Sequence, residues 1–356
     1  MTPFSALDQT MMRRALALAE KGMFSATPNP RVGCVLVHGE QVVGEGWHEQ
    51  AGAPHAEANA LAAAGEAARG ATAYLNLEPC AHHGRTPPCA DALVAAGVTR
   101  VVAAMRDPNP EAGGGGARLA AAGVRFEHGL FEDEARELNL GFVSRVTRGR
   151  PWVRMKLAAT LDGRTALANG KSQWITGAEA RRDGQRWRAR ACALLTGIGT
   201  VKADDPRLTV REVDTPRQPL RVVVDSRLEI PPGAKILQGG NTLIFFGSTR
   251  NKPPQGVEAV ALPNAQGKVD LAAMLRELAR RGVNELHVEA GFKLNGSLAR
   301  EGCVDEMLLY LAPAFLGDSA QGMLDLAQMT SLEQRLRVAL RSVERVGEDL
   351  RIVARL

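Results

Sequence analysis

Two short runs in the first quarter of the 356-residue chain carry residue types suited to hydrolytic metal chemistry. They are Pro54-His55-Ala56-Glu57, and Glu78-Pro79-Cys80 followed by Cys89. One neutral imidazole and two thiolates make a three-ligand zinc set, and a tetrahedral ion then keeps its fourth position for water. Zinc lowers the pKa of such a water toward neutrality. Hydrolytic removal of an amino group also needs a proton carrier between water, ring nitrogen and departing ammonia. Glu57, close to His55 but not itself a ligand, suits that task. A structural zinc is normally closed by four protein ligands and would leave Glu57 without a use. His82 and His83 lie between the two thiols and stay open as further donors.

Positions i and i+2 of a helix lie about 200° apart around its axis, so no lateral face carries both His55 and Glu57. Both reach one ion only if the helix meets it end-on, through its first turn. Pro54, and Pro87-Pro88 before Cys89, are residues expected at such starts, so two helices are predicted to begin at the metal. Their N-terminal dipoles favour anionic sulfur. Around these runs, helical spacing is predicted over 7–22, 56–64, 89–97, 117–122 and 131–147. Strands are expected over 71–77, 98–105 and 124–129, with a hairpin over 32–48 turning at His38-Gly39-Glu40. Such alternation describes a sheet covered by helices. The glycine run 113–116, the one low-complexity spot, reads as a loop.

Composition changes at RGRP (148–151), which sets the expected domains as 1–147 and 148–356. The second half again alternates. Strands are predicted over 152–160, 191–197, 220–226, 241–247, 285–291 and 304–313, with helices near 177–190, 269–282 and 292–301. No GxGxxG follows a first strand, so a dinucleotide-binding Rossmann unit is not indicated. GIGTVKADDP and VEAGFKLNGS read as glycine-bearing turns after strands, where backbone amides approach phosphate.

Apolar residues at 45% and charged residues at 23% fit an ordinary globular protein. No apolar stretch is long enough to span a bilayer, and the N-terminus lacks the order of a secretory signal. A cytoplasmic protein without a membrane partner is expected. Five cysteines are an odd number and no disulfide framework; Cys34, Cys192 and Cys303 sit in apolar contexts and read as core. The net charge of +5 comes from scattered arginines, and Tyr74 and Tyr310 are the only tyrosines. A nucleic-acid partner is therefore not expected, and small anionic substrates are.

TPNPRVGCVLV, GWHEQAGAPHAE and LEPCAHHGRTPPC resemble the bifunctional riboflavin-biosynthesis deaminase–reductases. KLAATLDGRTA, SQWITG, GTVKADDPRLTVR, VVVDS and VEAGFKLNGSL extend the resemblance, in order, over essentially the whole chain. The eight residues between Cys80 and Cys89, where most nucleoside and tRNA deaminases of this fold place two, are similar to the diaminopyrimidine deaminases. The resemblance implies a cytidine-deaminase-like three-layer α/β/α domain followed by a dihydrofolate-reductase-like α/β domain. In the first, it implies zinc on His55, Cys80 and Cys89 and proton transfer by Glu57. Asn29 and the 82–87 insert would line the pocket.

In the second domain it implies NADPH. The cofactor contacts would be Ala158, Trp174, Thr200, Asp204 and Ser226, with Gly291, Phe292, Lys293, Leu294, Asn295, Gly296 and Ser297. The substrate contacts would be Lys156, Ser172, Arg188, Leu208, Arg211 and Glu289. Arg188 and Arg211 suit the 5′-phosphate, because guanidinium pairs with phosphate in a bidentate way. Lys156 and Asp204 would lie near the ribose. The implied substrate is 2,5-diamino-6-ribosylamino-4-pyrimidinone 5′-phosphate, which loses its 2-amino group. Reduction of the ribosyl group then gives 5-amino-6-(5-phosphoribitylamino)uracil. Family members self-associate, so a homodimer or tetramer is expected. Three rivals stay open on sequence alone: a deaminase with a degenerate C-terminal domain, a nucleic-acid editing deaminase, and a zinc-stapled binding protein.

Overall fold

A capping box starts the first helix, α1 (Ala6–Glu20): the Asp8 N–H donates to Ser5 Oγ at 3.1 Å, and the Ser5 N–H donates to Asp8 Oδ2 at 2.8 Å. In the computed structural model, which describes residues 4–82 and 87–356, α1 belongs to the first of two units, Met1–Gly149 and Arg150–Leu356. The first unit continues through β1 (Gly33–His38), β2 (Gln41–Trp47), α2 (Ala56–Ala64), β3 (Thr72–Leu77), α3 (Cys89–Ala95), β4 (Arg100–Met105), α4 (Gly115–Ala121), β5 (Arg125–His128), α5 (Glu132–Leu138) and α6 (Leu140–Arg148). Its sheet has the order β2-β1-β3-β4-β5. β1 is antiparallel to β2 and β3, and the remaining pairs are parallel.

Alternating strand residues feed two cores. Val35, Val37, Tyr74 and Val102 pack with Met12 and Ala15 of α1, Ala135 of α5 and Phe142 of α6. Leu36, Ala73, Leu75 and Val101 pack with Ala60 of α2, Leu93 of α3 and Leu119 of α4. The unit is thus three layers, α/β/α. Buried Asp8 ties α1 to β3 and β4, accepting from the Tyr74 hydroxyl at 2.7 Å and from Arg100 at 2.6 Å.

Gly44 and Gly46 let α2 lie directly on β2. A Cβ at Gly46 would stand 2.5 Å from the Ala56 carbonyl oxygen, and one at Gly44 2.3 Å from that of Ala60. Gly46→Ala is expected to push α2 off the sheet and destabilise the unit by about 1–3 kcal/mol, read as a lowered midpoint in thermal unfolding.

The second unit contains β6 (Trp152–Thr160), β7 (Arg164–Ala166), α7 (Ala178–Arg190), β8 (Ala193–Gly197), α8 (Ile198–Asp204), β9 (Leu220–Val224), β10 (Thr242–Phe246), β11 (Glu258–Ala261), α9 (Leu271–Arg280), β12 (Glu285–Val288), α10 (Phe292–Arg300), β13 (Glu306–Ala312), β14 (Gln321–Gly322), β15 (Ala339–Val346) and β16 (Asp349–Arg355). Nine strands form one sheet, β11-β10-β9-β8-β12-β6-β13-β16-β15. It is parallel from β11 to β13 and antiparallel at the two C-terminal strands. Apolar residues of α9 and α10 cover one face, through Met274, Leu278 and Leu298. On the other face, Val201 of α8 packs with Leu194 and Val223, and Ala180 and Trp187 of α7 with Leu308 and Tyr310.

Beneath α7 the sheet carries charge. Fully buried Arg154 donates to Glu306 and, at 3.0 Å, to Glu285; Arg190 Nε reaches the same Glu285 oxygen at 2.7 Å. The Arg154 guanidinium lies 4.5 Å over the Trp187 ring.

Several expectations are corrected here. The helix expected over 131–147 is broken at Asn139, whose side chain instead bridges the Arg31 backbone, accepting its N–H at 2.8 Å and donating to its carbonyl at 3.0 Å. The glycine run 113–116 is half helix, since α4 begins at Gly115. GIGTVKADDP is not a turn, since Gly197 caps α8 and the helix carries the following residues; in VEAGFKLNGS the connection is confined to 289–291, and Gly291 caps α10, the helix expected near 292–301. The terminal hairpin β15–β16 had no counterpart among the expected strands. Cys34 and Cys303 are buried, while Cys192 is half-buried and accepts the Asn284 N–H at 3.3 Å. No described helix is long and apolar enough to cross a membrane.

Candidate functional site

His55 is the cap residue of α2, Glu57 stands in that helix's first turn, and Cys89 is the first residue of α3 after Pro88. Cys80 follows β3 by three residues. Both helices therefore present their N-termini to one point. His55 Nδ1 lies 3.3 Å from Cys89 Sγ and 3.8 Å from Cys80 Sγ, and the three donor atoms all lie within 4.8 Å of one another. Ordinary Zn–N and Zn–S bonds at tetrahedral angles need nitrogen and sulfur about 3.5 Å apart. The donor set fits zinc in chemistry and in spacing. The Cys89 N–H donates to Cys80 Sγ at 3.3 Å. Hydrogen bonding from the Cys89 side chain, with further help from His55 and that N–H, holds the Cys80 thiol pKa below its ordinary value against the opposing effect of burial.

Glu57 is buried, and its Oε2 has no hydrogen-bond partner among the described residues. Burial raises its carboxyl pKa above the ordinary value. Asn29 is brought close by His48, whose Nε2 lies 2.9 Å from Asn29 Nδ2. The other ring nitrogen of His48 faces the Pro54 carbonyl at 3.1 Å, and its ring meets that of His55 edge-on with centroids 5.4 Å apart. Buried Glu78 holds the next loop, accepting the Gly116 N–H at 2.7 Å and the Asp107 N–H at 3.1 Å. That loop passes so close that a Cβ at Gly115 would stand 1.8 Å from the Pro79 carbonyl oxygen. His82 is exposed, and His83 with the centre of the 82–87 insert lies outside the described residues.

In the second unit, three of the expected substrate contacts come together. Arg188, on α7, grips both oxygens of Glu289, with Nε at 2.5 Å and Nη2 at 2.8 Å, and donates to the Thr209 carbonyl at 2.9 Å. Lys156 on β6 feels both charges; burial lowers its pKa, Glu289 opposes that and Arg188 adds to it. The starts of α8 and α10 also meet. Gly197 packs on Leu294, and a Cβ at Gly291 would lie 3.6 Å from Thr200 Oγ1. Asp204 ends α8 and is reached by Gln173 at 3.4 Å. Trp174 is 69% exposed with Arg181 over its ring, and Ser172 lies in the same segment. Phe292 and Lys293 open α10, Lys293 exposed; Ala158 is half-buried on β6, and Arg211 is exposed.

Other expected residues are turned toward the fold's own bonds. Ser226 Oγ accepts the Val269 N–H, Ser297 Oγ donates to the Lys293 carbonyl, and Asn295 Nδ2 donates to that of Ala290. Gly296 packs on the Asp325 backbone, and Leu208 is buried with φ of 49°.

Residues 5–105 match the family model described as the cytidine and deoxycytidylate deaminase zinc-binding region, and residues 151–352 match the RibD C-terminal domain. The riboflavin biosynthesis protein RibD of Escherichia coli K12 is 47% identical over 360 residues, covering 96% of this chain and 98% of that protein. This chain belongs to the RibD family. It is a bifunctional deaminase–reductase of riboflavin biosynthesis, with both domains present. Acinetobacter baumannii RibD superposes with a TM-score of 0.92 at 43% identity, covering 98% of each chain. The diaminohydroxyphosphoribosylaminopyrimidine deaminase/5-amino-6-(5-phosphoribosylamino)uracil reductase of Thermotoga maritima gives 0.89 at 32% identity, also covering 98% of each. The two units are accordingly cytidine-deaminase-like and dihydrofolate-reductase-like.

Two residues of this RibD chain that sequence reasoning left without a role now have one. His48 connects Asn29 to the cap of α2, and Glu78 anchors the loop beside Cys80. The signal for His48 was its place at the end of a predicted strand directly before the His55 run. For Glu78 it was the burial implied by a carboxylate following an apolar strand.

Proposed function

We propose that residues 1–147 deaminate 2,5-diamino-6-ribosylamino-4-pyrimidinone 5′-phosphate and that residues 148–356 reduce the ribosyl group of the product to ribityl with NADPH. His55, Cys80 and Cys89 would hold zinc. When bound, zinc supplies a Lewis acid that makes water a nucleophile at neutral pH. Glu57 takes one proton of the water on Oε2 and passes it to the ring nitrogen; it then takes the proton of the added hydroxyl and gives it to the amino group, which departs as ammonia as the carbonyl forms. Asn29, held by His48, would line the pocket. The observation that carries this reading is the convergence of one imidazole and two thiols beside a buried carboxylate oxygen that has no hydrogen-bond partner among the described residues.

For the second step, NADPH supplies hydride to the ring-opened ribose carbon. Arg188 and Arg211 meet the 5′-phosphate with Ser172, Leu208 and Glu289 around it, while Lys156 and Asp204 manage the proton bound for the sugar oxygen. Ala158, Trp174, Thr200, Asp204, Ser226 and the 291–297 segment would hold the cofactor. Support comes from the paired starts of α8 and α10 at the ends of parallel strands β8 and β12, where open α/β sheets take anionic ligands. We further infer a cytoplasmic homodimer or tetramer that works on a small phosphorylated pyrimidine rather than on nucleic acid or a membrane.

Metal analysis with ammonia release from the diaminopyrimidine phosphate tests the first step. NADPH oxidation in the presence of the deaminated intermediate tests the second. Zinc-free protein, or no ammonia, overturns the first reading; a flat NADPH trace leaves a deaminase with a degenerate partner domain. Cys89→Ala is expected to reduce zinc content to background and abolish ammonia release while NADPH-dependent reduction continues.

A further inference from the structure

His287, on β12, is fully buried, and neither ring nitrogen has a hydrogen-bond partner among the described residues. Buried polar atoms are rarely left so. Its Nε2 lies 3.4 Å from Glu289 Oε1, near but out of alignment. The same oxygen already accepts Arg188 Nε, and Arg188 also fills Oε2. Each carboxylate oxygen thus already has a donor from one guanidinium, while His287 Nε2 stands beside Oε1 without an aligned bond. Burial lowers the imidazole's pKa; Glu289 opposes that, and the Arg154 and Arg188 charges add to it, Arg154 being its register partner on β6. A neutral ring has one N–H, and only the tautomer that carries it on Nε2 can serve Glu289.

If Arg188 turns its fork to a substrate phosphate, it must loosen its hold on Glu289. A buried carboxylate stripped of its donors would resist that movement. We propose that His287 is a positioning residue of the second unit, whose Nε2–H takes over Glu289 Oε1 when Arg188 engages the phosphorylated substrate. This rests on the assignment of Arg188 and Glu289 as substrate contacts. His287 touches no substrate; it keeps Glu289 fixed while the arginine changes partner.

Steady-state reduction of 5-amino-6-(5-phosphoribosylamino)uracil by the full-length protein tests it, with His287→Leu beside His287→Gln. The Leu variant should raise KM for that substrate about tenfold, the effect of losing one hydrogen bond to a charged group. Its kcat, NADPH affinity and ammonia release should not change. Gln, which offers an N–H to the same oxygen, should recover most of the loss. A wild-type KM in the Leu variant overturns the proposal. So does an equal loss in both variants together with weakened NADPH binding, which would mark packing alone.

Nitrogen NMR of histidine-labelled wild-type protein gives a readout that does not depend on the variants folding. The His287 Nε2–H signal should move to a hydrogen-bonded position when that substrate is added, and an unmoved signal overturns the exchange. Wild-type protein that binds NADPH but reduces nothing would instead defeat the reductase reading, and this inference with it.

Discussion

Glu57→Gln protein is expected to keep its zinc and to release ammonia about 10²- to 10⁴-fold more slowly than the wild type. The amide has the shape of the carboxyl group it replaces, so the first turn of α2 has no reason to move. None of the three metal donors is altered, because Glu57 contributes no atom to that set. What is lost is a group that can both accept and return a proton. Oε2 is the atom concerned, since among the described residues it has no hydrogen-bond partner although it is buried. Zinc stoichiometry and an ammonia assay on the same preparation separate the outcomes. Full activity removes Glu57 from the proton path; loss of zinc would instead make it a structural support of the metal.

Arg154→Leu is expected to destabilise the second unit by about 3–5 kcal/mol. The guanidinium is buried between Glu285 and Glu306, and its removal leaves two buried carboxylates short of their central partner. Arg190 and Arg355 approach the same two carboxylates from more exposed positions, at 2.7 Å and 3.3 Å, and keep part of the compensation. Arg154→Lys should fall between, because an ammonium cannot span both acids with a planar fork. Denaturant unfolding followed by tryptophan fluorescence is the direct measurement: Trp187 lies against Arg154 and Trp152 against Arg355. An unchanged unfolding midpoint in the Leu variant would show that the network contributes nothing net.

The metal centre was legible because its chemistry is local. A proline before each of His55 and Cys89 announces a helix start, and an i, i+2 pair such as His55 and Glu57 can face one point only through the first turn of its helix. The layered arrangement was legible for a similar reason, since its strands are continuous apolar runs between amphipathic helices. The β15–β16 hairpin was not. Every residue of β15 is exposed or half-buried at the open edge of its sheet, so no alternation of apolar and polar residues marks it. The break at Asn139 depends on a partner, Arg31, more than a hundred residues earlier, which no window of sequence contains. In the second unit, family resemblance singled out Arg188 and Glu289 but not the bidentate pair they make, which only the meeting of α7 with the end of β12 creates.

The strand order of the second unit has a consequence for synthesis on the ribosome. β6 is made first, yet its neighbours in the sheet are β12 and β13, whose residues begin at Glu285 and Glu306. At about 5–20 residues per second, Val153, Met155 and Leu157 wait on the order of ten seconds for those neighbours, with their apolar side chains available to chaperones or to other nascent chains. The first unit is complete before that interval opens. Nascent chains arrested just before β12 should therefore show a protease-resistant N-terminal fragment and rapid cleavage around β6; equal resistance of both regions would count against a sequential order.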